Sequence, residues 1–204
     1  GNDTTGYQQK NTNSYDALGR VIGEVTGAGS TDALTQNWTY TGAYLTQVDG
    51  TRTDVSDTVS YQYNDAGLMT RTTDAKGAVT NYGYDRLGRM NQLQASGRSA
   101  ITYSYDGADR RRREQLGDGT SHYWNYYSDG RLHRHQDLNG NTTQYTYNSG
   151  AQLVHLDRTP LGGSAGGDDV TYAYNSHGDV WSATDYRTNA NGETTRLFYD
   201  SAGR

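Results

Sequence analysis

Two histidines stand two residues apart in the segment Arg131-Leu132-His133-Arg134-His135. On a β-strand, side chains alternate between the two faces, so His133 and His135 would point the same way and could bind a metal together. Asp137 shares their parity and is the one candidate for a third ligand. Zinc sites require three or four ligands. We therefore favour two polar residues on one sheet face, and we predict no metal ion.

Two charged segments offer other chemistry. The basic run at 110–113 could bind a phosphate or an acidic partner. Solvated charge, or arginine stacked on tyrosine rings through cation–π contacts, is the favoured interpretation. Asp168 and Asp169 follow the glycine-rich segment at 161–167 and could help to bind calcium. No EF-hand pattern accompanies them, so a solvated loop is the preferred prediction.

Nucleophilic catalysis has little support in the sequence. There is no cysteine and no Gly-x-Ser-x-Gly elbow, and Ser164 lies in a glycine-rich loop instead of between a strand and a helix. The aspartates recur at positions typical of turns, where hydrogen bonds to the backbone explain them. We therefore nominate no catalytic residue and no cofactor, and we predict that the protein is not an enzyme.

Composition restricts the class of protein further. The net charge of −5 and the pI of about 5.4 disfavour a nucleic-acid partner. No apolar run approaches the length of a membrane span. Hydrophobic residues make up only 32% of the chain, but tyrosine occurs 19 times, so tyrosine rings must supply much of the buried area. The chain begins without Met and stops within a motif, so we expect a piece of a longer protein.

Self-similarity dominates the chain. Aligning each unit on the second aromatic of an aromatic-x-aromatic pair places nine anchors in residues 1–204, and four successive gaps between them are 21 residues. Such regular spacing indicates a repeat protein whose longer gaps carry loop insertions. The anchors are Tyr15, Tyr40, Tyr63, Tyr84, Tyr105, Tyr126, Tyr147, Tyr174 and Tyr199.

Each unit reads as a β-hairpin. The two aromatic side chains share a strand face, the Asp or Asn that often follows caps the turn, and a Gly four residues past the anchor suits positive φ. The Arg after that Gly begins the return strand. Besides the anchors, the motif comprises Asp16, Gly19, Arg20, Tyr61, Gly67, Tyr82, Asp85, Gly88, Arg89, Tyr103, Asp106, Trp124, Gly130, Arg131, Tyr145, Tyr172, Gly178, Asp200, Gly203 and Arg204.

Three units depart from the turn pattern. Tyr44, Asp109 and Ala151 occupy the position that glycine holds elsewhere. An isolated hairpin is marginal in water, whereas consecutive hairpins can shield one another. We therefore predict an all-β fold in which tandem hairpins form a single array over residues 1–204, as a continuous curved or spiralling antiparallel sheet.

The sequence Tyr-Asp-Ala-Leu-Gly-Arg at 15–20, with its counterparts at 84–89 and 199–204, resembles the YD repeats of RHS proteins. That family includes the RHS toxins, the cocoon-forming C subunits of Tc toxins, and the teneurins. The resemblance covers nearly the whole chain. It implies a bacterial secreted or cell-surface protein whose sheet spirals into a shell around a toxic segment. The implied partners are the rest of the parent chain and its enclosed toxin.

A second function remains open at this stage. Aromatic repeats of similar length also build binding modules, in which exposed rings stack on a glycan or meet a partner protein. Tyr82 and Trp124 are the rings on which such binding would be tested. Because the aliphatic content is low, we favour a structural role in which most of the rings form the core.

Overall fold

The computed structural model describes residues 10–29, 32–163, 169–185 and 193–196, with the backbone alone for the last segment. All regular structure within these residues is β-strand, which confirms the all-β class with tandem antiparallel hairpins. None of them forms a helix with the length and apolar character that a membrane crossing requires. Contacts group the chain into two compact units, Gly1–Ala100 and Ile101–Arg204.

Eight strands form the first unit. They are β1 (Thr12–Tyr15), β2 (Val21–Thr26), β3 (Leu34–Thr41), β4 (Tyr44–Asp49), β5 (Val59–Tyr63), β6 (Met69–Thr73), β7 (Val79–Tyr84) and β8 (Met90–Ala95). Each strand pairs antiparallel with the next one along the chain.

Nine strands form the second unit, again paired in chain order and antiparallel. They are β9 (Ile101–Tyr105), β10 (Arg111–Gln115), β11 (Ser121–Tyr126), β12 (Leu132–Gln136), β13 (Thr142–Tyr147), β14 (Leu153–Thr159), β15 (Val170–Tyr174), β16 (Val180–Asp185) and β17 (Glu193–Arg196).

Each described anchor tyrosine ends the first strand of its hairpin, except Tyr40, which precedes the last residue of β3. Tyr63, Tyr84 and Tyr126 are the last residues of β5, β7 and β11. At each of them the register shifts by one residue, so Gln62 pairs with Arg71 but Tyr63 pairs with Met69. Such a bulge adds local twist and redirects the anchor side chain.

The hairpin turns share one backbone geometry. In the first, the N–H of Asp16 donates to the carbonyl of Arg20 at 2.9 Å, and the N–H of Gly19 donates to the carbonyl of Asp16 at 3.0 Å. Gly19 has a φ of +77°. This is a three-residue loop that ends in a left-handed residue, a frequent hairpin connection. The same two bonds close the turns that begin at Asn64, Asp85, Asp106, Tyr127, Asn148 and Asn175.

The left-handed position persists where glycine is absent. Asp109 and Ala151 have φ values of +61° and +65°, and they are the two non-glycine residues with positive φ among those described. The second hairpin differs, because Tyr44 begins β4 and pairs with Thr41. Its turn therefore has two central residues, and Gly42, the first of them, takes the positive φ of +58°.

The two faces of each unit differ in chemistry. Alternation and register place Tyr61 and Tyr82 on what we call the aromatic face of the first unit, and Trp124 and Tyr145 on that of the second. These rings are half-buried. The opposite, polar face carries Gln62 and Asn81 in the first unit, and in the second Arg113, Asn125, Arg134, Gln136 and Gln144.

Burial is shallow throughout the described residues. Leu156 and Ser182 reach 9% exposure, and no side chain is fully enclosed. The expected tyrosine core is therefore a half-buried layer, because the described strands of each unit form a single sheet. Of the anchors that the structure describes, Tyr15 is the most open, at 57% exposure.

Candidate functional site

The aspartate after the anchor organises the turn. One carboxylate oxygen of Asp16, Oδ1, accepts the N–H groups of Leu18 and Arg20, both at 2.9 Å. Asp85 and Asp106 make the same pair of bonds in their own turns. The N–H of Arg20 is the leading cause that lowers the pKa of Asp16, and the Arg20 guanidinium adds to it. The aspartate is thus a structural acceptor, held in its ionised form.

The second carboxylate oxygen holds the arginine of the motif. Nε and Nη2 of Arg20 both donate to Oδ2 of Asp16 at 2.7 Å. Arg110 binds Asp106 with the same two distances. Because two nitrogens of the planar guanidinium donate to one oxygen, these two bonds fix the orientation of the guanidinium. In the sixth repeat, Asp129 takes over the role and binds Arg131.

The oriented guanidinium lies over the anchor ring of the following hairpin. Arg20 is 4.2 Å from the ring centre of Tyr40, Arg110 is 4.5 Å from that of Tyr126, and Arg131 is 4.8 Å from that of Tyr147. These distances suit a cation–π contact. The arginine therefore connects its own turn to the next repeat.

The anchor hydroxyl completes the connection in the opposite direction. The hydroxyl of Tyr84 donates to the carbonyl of Met69 at 2.8 Å, and that of Tyr174 donates to the carbonyl of Leu153 at 2.7 Å. The hydroxyl of Tyr126 does the same to Arg111 at 3.0 Å. In each case the acceptor belongs to the return strand of the preceding hairpin. We call the sequence of contacts from Asp to Arg to the next Tyr the repeat relay.

The seventh repeat contacts the next turn with neutral groups. Asn148 and Gln152 replace the Asp–Arg pair, and the amide of Asn148 donates to Oε1 of Gln152 at 2.8 Å. Nε2 of Gln152 donates to the carbonyl of Gly178 in the next turn at 3.2 Å. A side-chain contact with the next hairpin is therefore kept, although it ends on a backbone carbonyl instead of an anchor ring.

His133 and His135 do not form a shared metal site. The ring of His133 packs against Tyr127 at 4.4 Å between centroids. His135 instead meets His122, a residue that the sequence pattern did not single out. Both carboxylate oxygens of Asp137 are used within its own turn, by Asn139 and Asn141. Among the described residues, no group of three metal-binding side chains is assembled.

The two imidazoles of His122 and His135 are hydrogen-bonded head to head. Nδ1 of His122 lies 3.0 Å from Nε2 of His135, and the ring planes differ by 15°. Their centroids are 5.2 Å apart, which is about the N···N distance plus one ring radius on each side. The two nitrogens therefore face each other, and in the hydrogen bond one ring is the donor and the other the acceptor. Burial lowers the pKa of His135, and His122 lowers it further.

Arginines of the basic run contact tyrosine rings, in line with the interpretation favoured from sequence. Arg110 belongs to the relay, Arg111 lies over Tyr103 at 4.5 Å, and Arg113 lies 5.4 Å from the ring centre of Tyr123. Arg111 also pairs with Glu114 at 2.9 Å. The run is therefore distributed among aromatic contacts.

Asp168 lies outside the described residues, as do the ninth-repeat residues Tyr199, Asp200, Gly203 and Arg204. Asp169 is described, and Nε2 of His155 is 3.6 Å from its carboxylate. Burial raises the pKa of the nearby Asp157 carboxyl, and the carboxylate of Asp169 raises it further.

The sequence analysis did not predict a second set of turns, the far-end turns, which connect the return strand of one hairpin to the first strand of the next. Residues 74–78, 116–120 and 137–141 repeat the same two closing bonds. Asp74 binds the N–H groups of Lys76 and Ala78 as Asp16 binds those of its own turn. The signal was present, since Gly119 and Gly140 are also 21 residues apart.

Comparison with known proteins gives a family match for part of the chain. The RHS Repeat family model matches residues 63–98. A search of curated proteins found no match. The matched segment runs from the anchor Tyr63 through the whole hairpin β7–β8.

Two solved structures share the fold. The chain resembles the crystal structure of TcdB2-TccC3-Cdc42 with a TM-score of 0.57, 14% identity and 93% of this chain covered. It resembles the Tc holotoxin pore of Photorhabdus luminescens with a TM-score of 0.55, 14% identity and 95% covered. The chain spans 13% of each matched chain.

Proposed function

We propose that this chain, of which residues 63–98 match the RHS Repeat family model, is a wall segment of an RHS-type protein that encloses or presents a toxic segment of the same parent chain. The parent is a bacterial protein that acts outside the cell or at its surface. Its partners are the remaining repeats and the enclosed toxin. The segment itself performs no catalytic step.

The repeat relay is the observation that carries this proposal. Asp, Arg and Tyr are residue types that often act in binding or catalysis, but here they contact one another and the neighbouring hairpins. The Asp binds the Arg of its own turn, the Arg contacts the next anchor ring, and the anchor hydroxyl binds the preceding hairpin. Contacts between neighbouring units can continue over many hairpins. Such an array is suited to building an extended wall.

The half-buried sheet supports the same role. Neither face of the described units closes around a hydrophobic core. A wall in a large shell has that property, because it separates two compartments instead of enclosing its own interior. The coverage of 13% of the matched Tc toxin chains is consistent with a slice of something much longer.

Limited proteolysis of the complete parent protein tests enclosure. We expect the segment that follows the repeats to resist trypsin in the native protein and to be cut after mild denaturation. Replacing Arg110 and Arg131 together by Gln should break two relay contacts and shorten the lifetime of that segment. Arg112→Gln is the matched control, because Arg112 is exposed and lies outside the relay. A segment that is cut equally fast in the native and denatured protein would refute the proposal.

A further inference from the structure

Tyr123 departs from the repeat in which it stands. It lies three residues before the anchor Tyr126, a position that faces away from the aromatic face. The first to fifth, the seventh and the eighth repeats place small or polar side chains there. They are Thr12, Asn37, Ser60, Asn81, Thr102, Gln144 and Thr171. Among these repeats and the sixth, a large ring at this position is specific to the sixth.

The ring of Tyr123 is open to solvent and is flanked by polar groups. It is 40% exposed. In register, Arg113 on β10 and Gln136 on β12 lie directly opposite it on either side. A shallow groove of about 180 Å³ is lined by Tyr123, Asn125, Arg134 and Gln136, and none of these four residues is aliphatic.

The positive charge of the groove is not compensated. Arg134 is exposed and forms no ion pair with any carboxylate in the described part of the chain. Arg113 donates from Nε and Nη2 to the hydroxyl of Ser121, both at 3.3 Å, and it too has no acidic partner there.

We propose that this groove binds an acidic saccharide, that is, a sugar ring that bears a carboxylate. The ring of the sugar packs on Tyr123, and the carboxylate pairs with the planar guanidinium of Arg134. The amides of Asn125 and Gln136 each offer donors and acceptors, which matches hydroxyl groups that do both. A groove this small and polar suits one sugar unit better than an apolar ligand.

Binding of glucuronate to the full chain tests the site, with glucose as the uncharged counterpart. Saturation-transfer NMR and calorimetry suit the weak affinity expected for one sugar unit, with Kd on the order of millimolar. Glucuronate should bind at least about tenfold more tightly than glucose, because glucose cannot pair with the arginine.

Two variants install residues that other repeats of this chain carry at the same position, so both should fold. Tyr123→Thr installs the residue that the fifth repeat carries at Thr102, where it pairs with Gln115. Arg134→Gln installs the residue that the fourth repeat carries at Gln92. Each should weaken glucuronate binding by about tenfold or more. Arg86→Gln, an exposed arginine of the first unit, is the control and should bind normally.

Several results would overturn the inference. Equal affinity for glucose and glucuronate would remove the role of the carboxylate, and unchanged binding by Tyr123→Thr would remove the role of the ring. An absence of glucuronate binding up to roughly 20 mM would refute the site. Binding of a polyglutamate peptide without any binding of glucuronate would identify a polypeptide partner instead.

Discussion

At the scale of single residues, the decisive positions are those with positive φ. An L-residue in the left-handed region costs about 1–2 kcal/mol, and glycine avoids that cost at the expense of flexibility in the unfolded chain. The array places glycine there in most turns but tolerates Asp109 and Ala151. The turn therefore imposes its conformation even when the residue does not favour it.

Ala151→Gly should stabilise the protein. The φ of Ala151 is +65°, so glycine relieves the strain, and the net gain should be about 0.5–1 kcal/mol after the entropic cost of glycine. Urea denaturation measures the free energy of unfolding. The matched control is the reverse change Gly107→Ala, at a glycine without positive φ and with open space around it, which should be neutral or mildly stabilising. A loss of stability in Ala151→Gly would contradict the turn assignment.

Gly88→Val should destabilise by more than about 1 kcal/mol, because a β-branched residue resists the φ of +79° at that position. A Cβ there would meet only Leu68, at 3.6 Å, so the cost arises from the backbone and not from a clash. The melting temperatures of Gly88→Val and Gly107→Val are compared, because the second variant shows the general effect of adding a valine. An unchanged melting temperature would show that the turn at 85–89 is misassigned.

At the scale of the strand and the hairpin, stability depends on contacts between neighbours. Where a repeat has an Asp–Arg pair, one arginine such as Arg131 carries the relay to the next hairpin. The histidine pair joins β11 to β12 at a single point. Both depend on the register between strands, which the bulge at the anchor sets.

A double-mutant cycle on Arg131 and Tyr147 should give a coupling energy of about 0.5–1 kcal/mol, the range for a partly exposed cation–π contact. The variants are Arg131→Gln, Tyr147→Leu and the double variant, each measured by urea denaturation. The same cycle with Arg112→Gln in place of Arg131→Gln should give no coupling. Independent effects of Arg131 and Tyr147 would eliminate the relay as a source of stability.

The histidine pair should make the protein less stable in mild acid. The pKa of His135 in the folded state lies below its ordinary value of 6.5, so the folded protein binds a proton less readily than the unfolded chain. The free energy of unfolding therefore falls as pH drops below about 6.5. At higher pH, His135 does not lower the free energy of unfolding. His122→Gln removes the like charge, so its loss of stability between pH 7 and 5 should be smaller than that of the wild type. A variant as sensitive to pH as the wild type would exclude the pair as the cause.

At the scale of the whole molecule, the protein is a series of similar units that contact mainly their sequence neighbours. Each described strand pairs with the next one along the chain in its own unit. Stability in such a series is approximately a sum over units and the interfaces between them. Whole units are therefore the natural steps by which the chain can be shortened.

Deleting residues 127–147 removes one period between the anchors Tyr126 and Tyr147 and should leave a folded protein. The m-value for urea should fall roughly in proportion to the residues removed. Deleting residues 127–137 removes one turn and the single strand β12, so that β11 and β13, which run in the same direction, would be joined by only a few residues. Parallel neighbours need a connection of about a dozen residues or more, so this deletion should abolish cooperative unfolding. Far-UV circular dichroism and urea titration distinguish the two. Equal tolerance of both deletions would refute the repeat assignment.

Much of this protein could be predicted from local sequence. The anchors, the alternation of faces and the left-handed turn residues follow from interactions within about five residues, such as the aspartate that binds the N–H groups two and four positions ahead. The same local chemistry predicted that Asp109 and Ala151 stand at turn positions, and the structure confirms it. The far-end turns were also encoded in the 21-residue spacing, although they were missed.

The contacts between hairpins were decided only by the tertiary structure. Arg131 over Tyr147, the pair formed by His122 and His135, and the groove beside Tyr123 all join residues on different strands. Which residues meet across strands depends on the register, and the bulge at each anchor shifts that register by one position. Periodicity in the sequence determines which face a side chain lies on, but the paired backbone determines which neighbour it meets there.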